Sequence, residues 1–554
     1  MQYKNSINRI LLPIAFAIIL IVGVVIGRLL YKPVNYSDSE KKLFIYPQSD
    51  KLQSVLNLID AEYVDTIDIK EIQEEIIPQV LKKLDPHSVY ISKDELKEAN
   101  EELEGNFGGI GVQFSMQNDT VLVISVISGG PSEKVGIQPG DRIVTVNDST
   151  VAGINLNSNN IVKMLRGDLG TRVNVGIKRV NREELIDFEI IRGNIPVYSV
   201  DVSYMVTDTI GYIKVSRFAK NTYHEFLTAL AKLKSQNCQK LIIDFRGNSG
   251  GFLDVAINMS NEFLHKQNLI VYTEGKSSKR QNVFANGTGT CQNMDVAVLI
   301  DEFSASASEI VAGAIQDNDR GIVIGRRSFG KGLVQQQIPL QDESALRLTI
   351  ARYYTPSGRS IQKPYSNGVE DYYHDLITRF EHGEFFEKDS IKLNEELRFE
   401  TKNGRVVYGG GGIMPDIFVP RDTTKYSDYY YKLRDKGVIY QFALEFSDKN
   451  RLQLTRYETV DELLKYIDDA NLESLIIKAA TDKGVKYNNK QFLISKEIIL
   501  TEAKAYIARN IMDDDAFYPI LHNIDEIMKE TIKELKYDYP ERLFELSEIE
   551  NNIE

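Results

Sequence analysis

The texture of the chain changes twice along its length, and those changes limit its architecture more than any single motif. Between Glu101 and Arg192 the apolar residues come in short β-like runs (110–114, 121–126, 142–146, 173–177), broken by glycine turns such as Pro139-Gly140-Asp141. From 194 to 420, strand-like runs (210–215, 241–245, 296–300, 322–324) alternate with helical stretches such as 223–233, the order expected of an α/β sheet. Beyond Pro420 the period is helical. Thr459 and Glu462 form a capping box ahead of Val460, Leu463, Leu464 and Ile467, and Leu472, Leu475, Ile476 and Ala479 repeat the spacing. Helical spacing also marks Leu52, Val55, Leu56 and Ile59, and the stretch 69–84. The expected segments are a short tail (1–9), an anchor (10–29), a helical region (40–100), a β-rich domain (101–193), an α/β core (194–424) and a mainly helical region (425–554).

The anchor is read from residues 10–27, which are uncharged and almost wholly apolar, with Lys4 and Arg9 before them and Arg28 and Lys32 after. Such a stretch is just long enough to cross a bilayer's hydrocarbon core. No small-residue cleavage site follows it, so an uncleaved transmembrane helix is expected rather than a removed signal peptide. The net charge of −13, with no basic block, argues against nucleic acid as a partner. Six histidines are scattered without paired ligand spacing, so no metal site and no cofactor is expected. Cys238 and Cys291 each precede an apolar run and read as two free buried thiols.

Four segments carry possible chemistry. Ser306-x-x-Glu309 ahead of Ile310 is a capping box, which alone accounts for both residues. A serine at a helix start can also use nearby N–H groups and the positive helix end to steady an oxyanion, provided a neutral amine takes its proton. Spacing does not choose among Ser304, Ser306 and Ser308. The run from Gly325 to Lys331 fits the opening of a phosphate-binding loop, but Gly332 stands where Ser or Thr is needed, and a strand-like run follows. Nucleotide binding is therefore not expected. Leu241-Ile-Ile-Asp244-Phe-Arg246-Gly-Asn248-Ser-Gly250-Gly251 leads a buried strand into a glycine turn, which either approaches a ligand or simply connects strand to helix. Gly108-Gly109-Ile110-Gly111-Val112 either offers N–H groups to a peptide's C-terminal carboxylate or is a glycine-kinked hairpin.

Together these segments resemble the C-terminal processing peptidases, serine proteases with a Ser–Lys dyad and an inserted PDZ domain. The resemblance spans roughly 45–420 and rests on Ser-Ala-Ser306-Ala-Ser-Glu309, Gly330-Lys331-Gly332-x-x-Gln335, Asp244-x-Arg246-Gly-Asn248-x-Gly250-Gly251 and Gly412-Ile-Met-Pro415-Asp416-Ile. It implies an α/β protease core of the ClpP/crotonase type carrying a β-rich PDZ insertion, with helical regions at both ends. It implies Ser306 as nucleophile, Lys331 as general base and Gln335 as the residue orienting the lysine. The oxyanion hole would come from backbone N–H groups of Ala307 and the Gly250–Gly251 turn, Gly251 above all. Gly109, Ile110, Gly111 and Val112 would form the PDZ carboxylate loop, Arg166 would tie PDZ placement to the active site, and the run from Tyr353 to Gln362 would lie near the substrate groove.

The expected substrates are unfolded or precursor proteins with apolar C-terminal tails. A homodimer and an adaptor protein are further partners left open, and residues 425–554 have no counterpart in the resemblance. The protease domain is expected in the periplasm or an equivalent extracytoplasmic space, held at the inner membrane by residues 10–29. One difficulty is local: on a straight strand the side chains of Lys331 and Gln335 would start about 13 Å apart. Their contact needs a bend, which Gly332 would allow. The competing reading is a membrane-tethered PDZ scaffold without catalysis, with Ser306 only a helix cap.

Overall fold

The computed structural model describes residues 51–179 and 182–536, so the expected anchor over 10–29 lies outside the described residues. Among the described residues no helix is long and apolar enough to cross a membrane. The chain divides into two units after Glu75. The first contributes the helix Lys51–Glu62; the second holds everything that follows.

Strand β1 (Val89–Ile91) and helix α1 (Lys93–Glu104) lead into the β-rich segment. There β2 (Val112–Gln117), β3 (Thr120–Val126), β4 (Arg142–Val146), β5 (Arg172–Lys178) and β6 (Ile186–Ile191) form an antiparallel sheet in sequence order, accompanied by helix α2 (Ser158–Leu165). An antiparallel ribbon of Asn106–Gly109 with Gly193–Pro196 ties the segment's entrance to its exit. Strand β3 is apolar on both faces, which is why it reads as an unbroken run. Val121 and Val123 point into the segment's own core with Ile143 and Val175. Leu122 and Ile124 point outward and are covered by Leu444 of the C-terminal region. Beside them Arg142 pairs with Asp448 at 2.5 Å.

The central sheet of the α/β core runs β7 (Val200–Met205), β8 (Ile210–Val215), β9 (Lys240–Asp244), β10 (Asp295–Ile300), β11 (Ile322–Gly325) and the short strand Ile417–Phe418. Only the first pair is antiparallel. A parallel sheet must be covered on both faces, and the alternation along β9 and β10 shows by what. Leu241, Ile243, Val296 and Val298 meet helices α3 (Thr222–Ser235), α4 (Leu253–Asn261) and α5 (Ala307–Asp317) through Phe226, Leu230, Met259, Ile310 and Val311. Ile242, Ala297 and Leu299 meet Ile527 and Met528 from near the end of the described chain. A second sheet holds β12 (Leu333–Pro339) and β13 (Ala345–Tyr354), with β1 and the hairpin Leu269–Glu274/Gln281–Phe284.

The C-terminal region is helical and has its own core around Phe442, Leu463, Ile476 and Phe492. Its long helices are α6 (Val438–Leu454) and α7 (Asn489–Met512); Thr459 caps Val460–Asp469 as its sequence predicts. After α7, helices α8 (Asp514–Leu521) and α9 (Glu526–Glu534) return to the central sheet and cover its second face. This region therefore completes the protease core as well as capping the β-rich segment. Cys238 and Cys291 are free and buried.

Candidate active site

Strands β9 and β10 are parallel neighbours, so both end at one edge of the sheet, where open α/β sheets form their sites. Each continues into a loop, 245–252 from β9 and 301–306 from β10. Asn248, fully buried, stitches the two together. Its amide donates to the Val215 carbonyl at the end of β8 (2.9 Å), and its Oδ1 accepts from Gly250 N–H (2.8 Å). Its own carbonyl accepts from Ala305 N–H (3.0 Å) and from the Ser308 hydroxyl (3.0 Å).

That stitching separates three serines that spacing could not. Ser304 and Ser308 are wholly buried, and their hydroxyls donate to the carbonyls of Phe245 (2.9 Å) and Asn248 (3.0 Å). Ser306 is half-buried at the N-cap of α5, and its hydroxyl makes no cap hydrogen bond to the helix. Its backbone stands at φ 56°, ψ −112°. For a residue with a Cβ, such a conformation costs roughly 1–3 kcal/mol. Gly250 packs directly on it: a Cβ there, at φ 102°, would fall 2.7 Å from Ser306 Cβ and 2.8 Å from the Ala305 carbonyl oxygen. If Ser306 is the nucleophile that the resemblance implies, Gly250→Ala is expected to lower kcat about a hundredfold by displacing it. Turnover of an unfolded protein, with circular dichroism to verify folding, checks this; turnover at the wild-type rate would refute it.

Glu309 holds this serine and the lysine loop together. Its carboxylate is fully buried and each oxygen accepts twice. Oε2 takes the main-chain N–H of Ser306 (2.8 Å) and of Lys331 (2.9 Å). Oε1 takes the Ser328 hydroxyl (2.5 Å) and Gly330 N–H (2.8 Å). Burial pushes the carboxyl upward, and these four donors oppose the shift. Ser306 and Glu309 are thus placed as a capping box, whose glutamate half is the 2.8 Å bond from Ser306 N–H. The Tyr353 hydroxyl adds a second tie, lying 3.1 Å from the Ser306 carbonyl oxygen and 2.5 Å from that of Lys331.

Lys331 precedes β12 rather than lying on it, and the β12–β13 pairing shifts register between Val334 and Gln335. Those two departures from a straight strand bring Lys331 Nζ within 3.2 Å of Gln335 Oε1. Gly332 N–H is fixed on Gln362 Oε1 at 2.8 Å. The other end of the Gln335 amide donates to the His87 carbonyl. Burial lowers the Lys331 amine below its ordinary value, and Arg347 adds to that lowering, against Glu309 and Asp85. His87 is brought down to about 4, first by burial and then by Lys331, so its imidazole is neutral at neutral pH.

The turn that presents His87 is one whose function went unread in the sequence. Asp85 closes it by accepting from His87 N–H (2.8 Å), Ser88 N–H (2.9 Å) and the Ser88 hydroxyl (2.6 Å), and it also accepts from the Thr349 hydroxyl (3.1 Å). Asp-Pro-x-Ser was the available signal, since an aspartate at a turn's first position commonly caps its own backbone.

Of the expected oxyanion donors, Gly250 N–H is already engaged by Asn248. The N–H groups of Ala307 and Gly251 remain. At the other end of the segment from Tyr353 to Gln362, Arg359 is wholly buried and pairs with Asp317 at 2.7 Å, anchoring the end of α5.

In the β-rich segment, Gly109 ends the ribbon strand, Ile110 and Gly111 form the connection, and Val112 opens β2. They border a groove of about 400 Å3 lined also by Phe107, Phe114, Val162 and Leu165. Arg166 also lines it, 4.0 Å above the Phe107 ring and 3.2 Å from Glu101 of α1. Among the described residues no group of His, Cys, Asp and Glu side chains could hold a metal ion.

Comparison with known proteins gives this geometry its context. The model of peptidase family S41 matches residues 209–373. The chain is 31% identical over 409 residues to the carboxy-terminal processing protease CtpB of Bacillus subtilis strain 168, covering 73% of this chain and 81% of that one. It belongs to peptidase family S41. This S41 peptidase is also 35% identical over 383 residues to a carboxy-terminal-processing protease of Bartonella bacilliformis, covering 68% of this chain and 85% of the relative. A PDZ model matches residues 108–190, the β-rich segment. A family of unknown function matches 429–513, within the helical region. The S41 peptidase is thus a serine-type carboxy-terminal processing enzyme with a PDZ domain and a helical C-terminal region.

Proposed function

We propose that this S41 peptidase is a membrane-anchored, extracytoplasmic endopeptidase that selects proteins by their C-terminal tails and cleaves them with Ser306 and Lys331. The observation that carries the dyad is the single Glu309 oxygen shared by the N–H groups of Ser306 and Lys331. Two nitrogens bound to one oxygen lie no more than about 6 Å apart. In the reaction, neutral Lys331 takes the Ser306 hydroxyl proton as Oγ bonds to the peptide carbonyl carbon. The oxyanion forms against the N–H groups of Ala307 and Gly251. The C–N bond then breaks and the leaving amine receives the proton from Lys331. Water attacks the acyl-enzyme by the same route in reverse, restoring Ser306.

Gln335 holds the lysine's direction through its 3.2 Å contact. The PDZ groove takes an apolar tail, with its carboxylate at the N–H groups of the loop from Gly109 to Val112. Arg166 in the groove's lining relays its occupancy to α1 through Glu101. Residues 10–29 hold the chain at the inner membrane with the protease outside the cytoplasm.

The test uses the full-length chain in mild detergent and an unfolded protein ending in an apolar tail. Cleavage should disappear in Ser306→Ala with the fold intact, and amidating the substrate's C-terminus should slow the wild type. Undiminished cleavage by Ser306→Ala would sink the assignment.

A further inference from the structure

The glycine turn that follows β9 hangs from a buried ionic cluster, and one member of that cluster comes from the far end of the chain. Asp244, at the end of β9, is fully buried. Its carboxylate accepts from the Tyr212 hydroxyl (2.8 Å), from Lys214 (3.2 Å) and from Arg246 Nη2 (2.6 Å). Burial alone would raise this carboxyl, but Arg246 and Lys214 hold it well below the ordinary carboxylate range. Arg246 is where the strand becomes the turn. Its N–H returns to Asp244 (2.8 Å), and its carbonyl accepts from Lys214 Nζ (2.5 Å). Gly247 follows, with its N–H on Asp301 (2.9 Å), and then the Asn248 bridge to Gly250 and Gly251.

The remaining arm of the guanidinium, Nη1, donates to Asp525 Oδ2 at 2.7 Å. Asp525 is the N-cap of α9, and its other oxygen, Oδ1, accepts from Ile527 N–H (3.0 Å) and Met528 N–H (3.2 Å). Capping uses one oxygen, and asparagine serves it as well as aspartate. The cap therefore does not account for a charge here, whereas Arg246 does: two carboxylates face two cations in a cluster largely shut off from water, where losing one partner strands the other. The neighbouring His522 ring stands 4.6 Å from Tyr212 and contacts Tyr204.

We propose that Asp525 is a positioning residue for the oxyanion turn, acting through Arg246 from the C-terminal helical region. Holding Nη1 fixes the arginine, and with it the peptide planes that lead to the Gly251 N–H. The proposal rests on the Ser306–Lys331 reading.

The test is Asp525→Asn in the full-length chain, which keeps the cap and removes the charge, with Asp525→Glu as the variant that restores it. Oxyanion contacts form only in the transition state, so kcat on an unfolded protein should fall about tenfold in Asp525→Asn with KM within about twofold. The rate of Ser306 labelling by a fluorophosphonate should fall in parallel, and Asp525→Glu should recover most of both. Wild-type kcat in folded Asp525→Asn would overturn the proposal. Equal losses in Asp525→Asn and Asp525→Glu, with parallel losses of thermal stability, would also overturn it by reducing Asp525 to a cap. Labelling of Ser306→Ala at the wild-type rate would overturn the dyad reading, and this proposal with it.

Discussion

Replacing Lys331 with methionine should abolish cleavage, lowering kcat/KM by about a thousandfold or more, and at the same time raise the melting temperature. Both effects have one cause. Burial and Arg347 depress the Lys331 amine, which suits it to the proposed role of base but sets it against folding. The unfolded chain holds that proton up to about pH 10.4. Between the lowered folded value and that figure, the unfolded state binds the extra proton, so wild-type stability rises with pH across that window. Below the folded value both states are protonated, and the burial penalty is felt in full. Methionine fills similar space without it. The difference in melting temperature between Lys331→Met and wild type should accordingly shrink as pH approaches 10.4. A difference that does not vary with pH would refute the account, as would substantial residual turnover. In the wild type, kcat/KM should rise with pH through the depressed value as the amine becomes neutral.

The second large effect is expected at Glu309. In Glu309→Gln one carboxylate oxygen becomes an NH2 group facing two donors, because every contact that Glu309 makes at its two oxygens is to an N–H or O–H. Buried donors left without acceptors cost about 1–3 kcal/mol each. A loss of roughly 3 kcal/mol in urea unfolding is expected. Because the same bonds hold the backbones of Ser306 and Lys331, kcat should fall about a hundredfold in the fraction that remains folded. A Glu309→Gln variant with wild-type stability and turnover would mean that the clamp does no more than cap α5.

Much of the architecture was legible because the local pattern and the tertiary environment agree. The runs at 210–215 and 142–146 became strands with the same limits, since each is rich in β-branched residues and turns apolar side chains into a core, the first along its whole length and the second through Ile143 and Val146. The period around Thr459 produced the expected helix because its apolar stripe, Leu463 and Ile467, is buried and Thr459 caps its start. What escaped was whatever depends on a partner distant in sequence. Three serines two residues apart look alike until Asn248 and the Phe245 carbonyl claim two of them. Gln335 looked out of reach of Lys331 because a register shift against β13 leaves no mark in its own strand. The capping-box pattern shows only part of what Glu309 does, because its other donors lie 19 to 22 residues downstream. The C-terminal helices were visible as amphipathic, and amphipathicity says that a face is covered without saying by what.

A domain inserted through two linkers invites treatment as a cassette to be cut out and studied alone. Strand β3 argues otherwise. Its outward residues Leu122 and Ile124 are kept dry by Leu444, and Arg142 has its counter-charge in Asp448. Excised at 101 and 193, the PDZ segment would carry a wet apolar strip on an antiparallel sheet, the kind of surface that draws copies into self-association. Tail affinities measured on such a fragment would describe a molecule that the intact chain never contains. The smallest faithful unit of recognition includes α6, some two hundred and fifty residues beyond the domain's last strand.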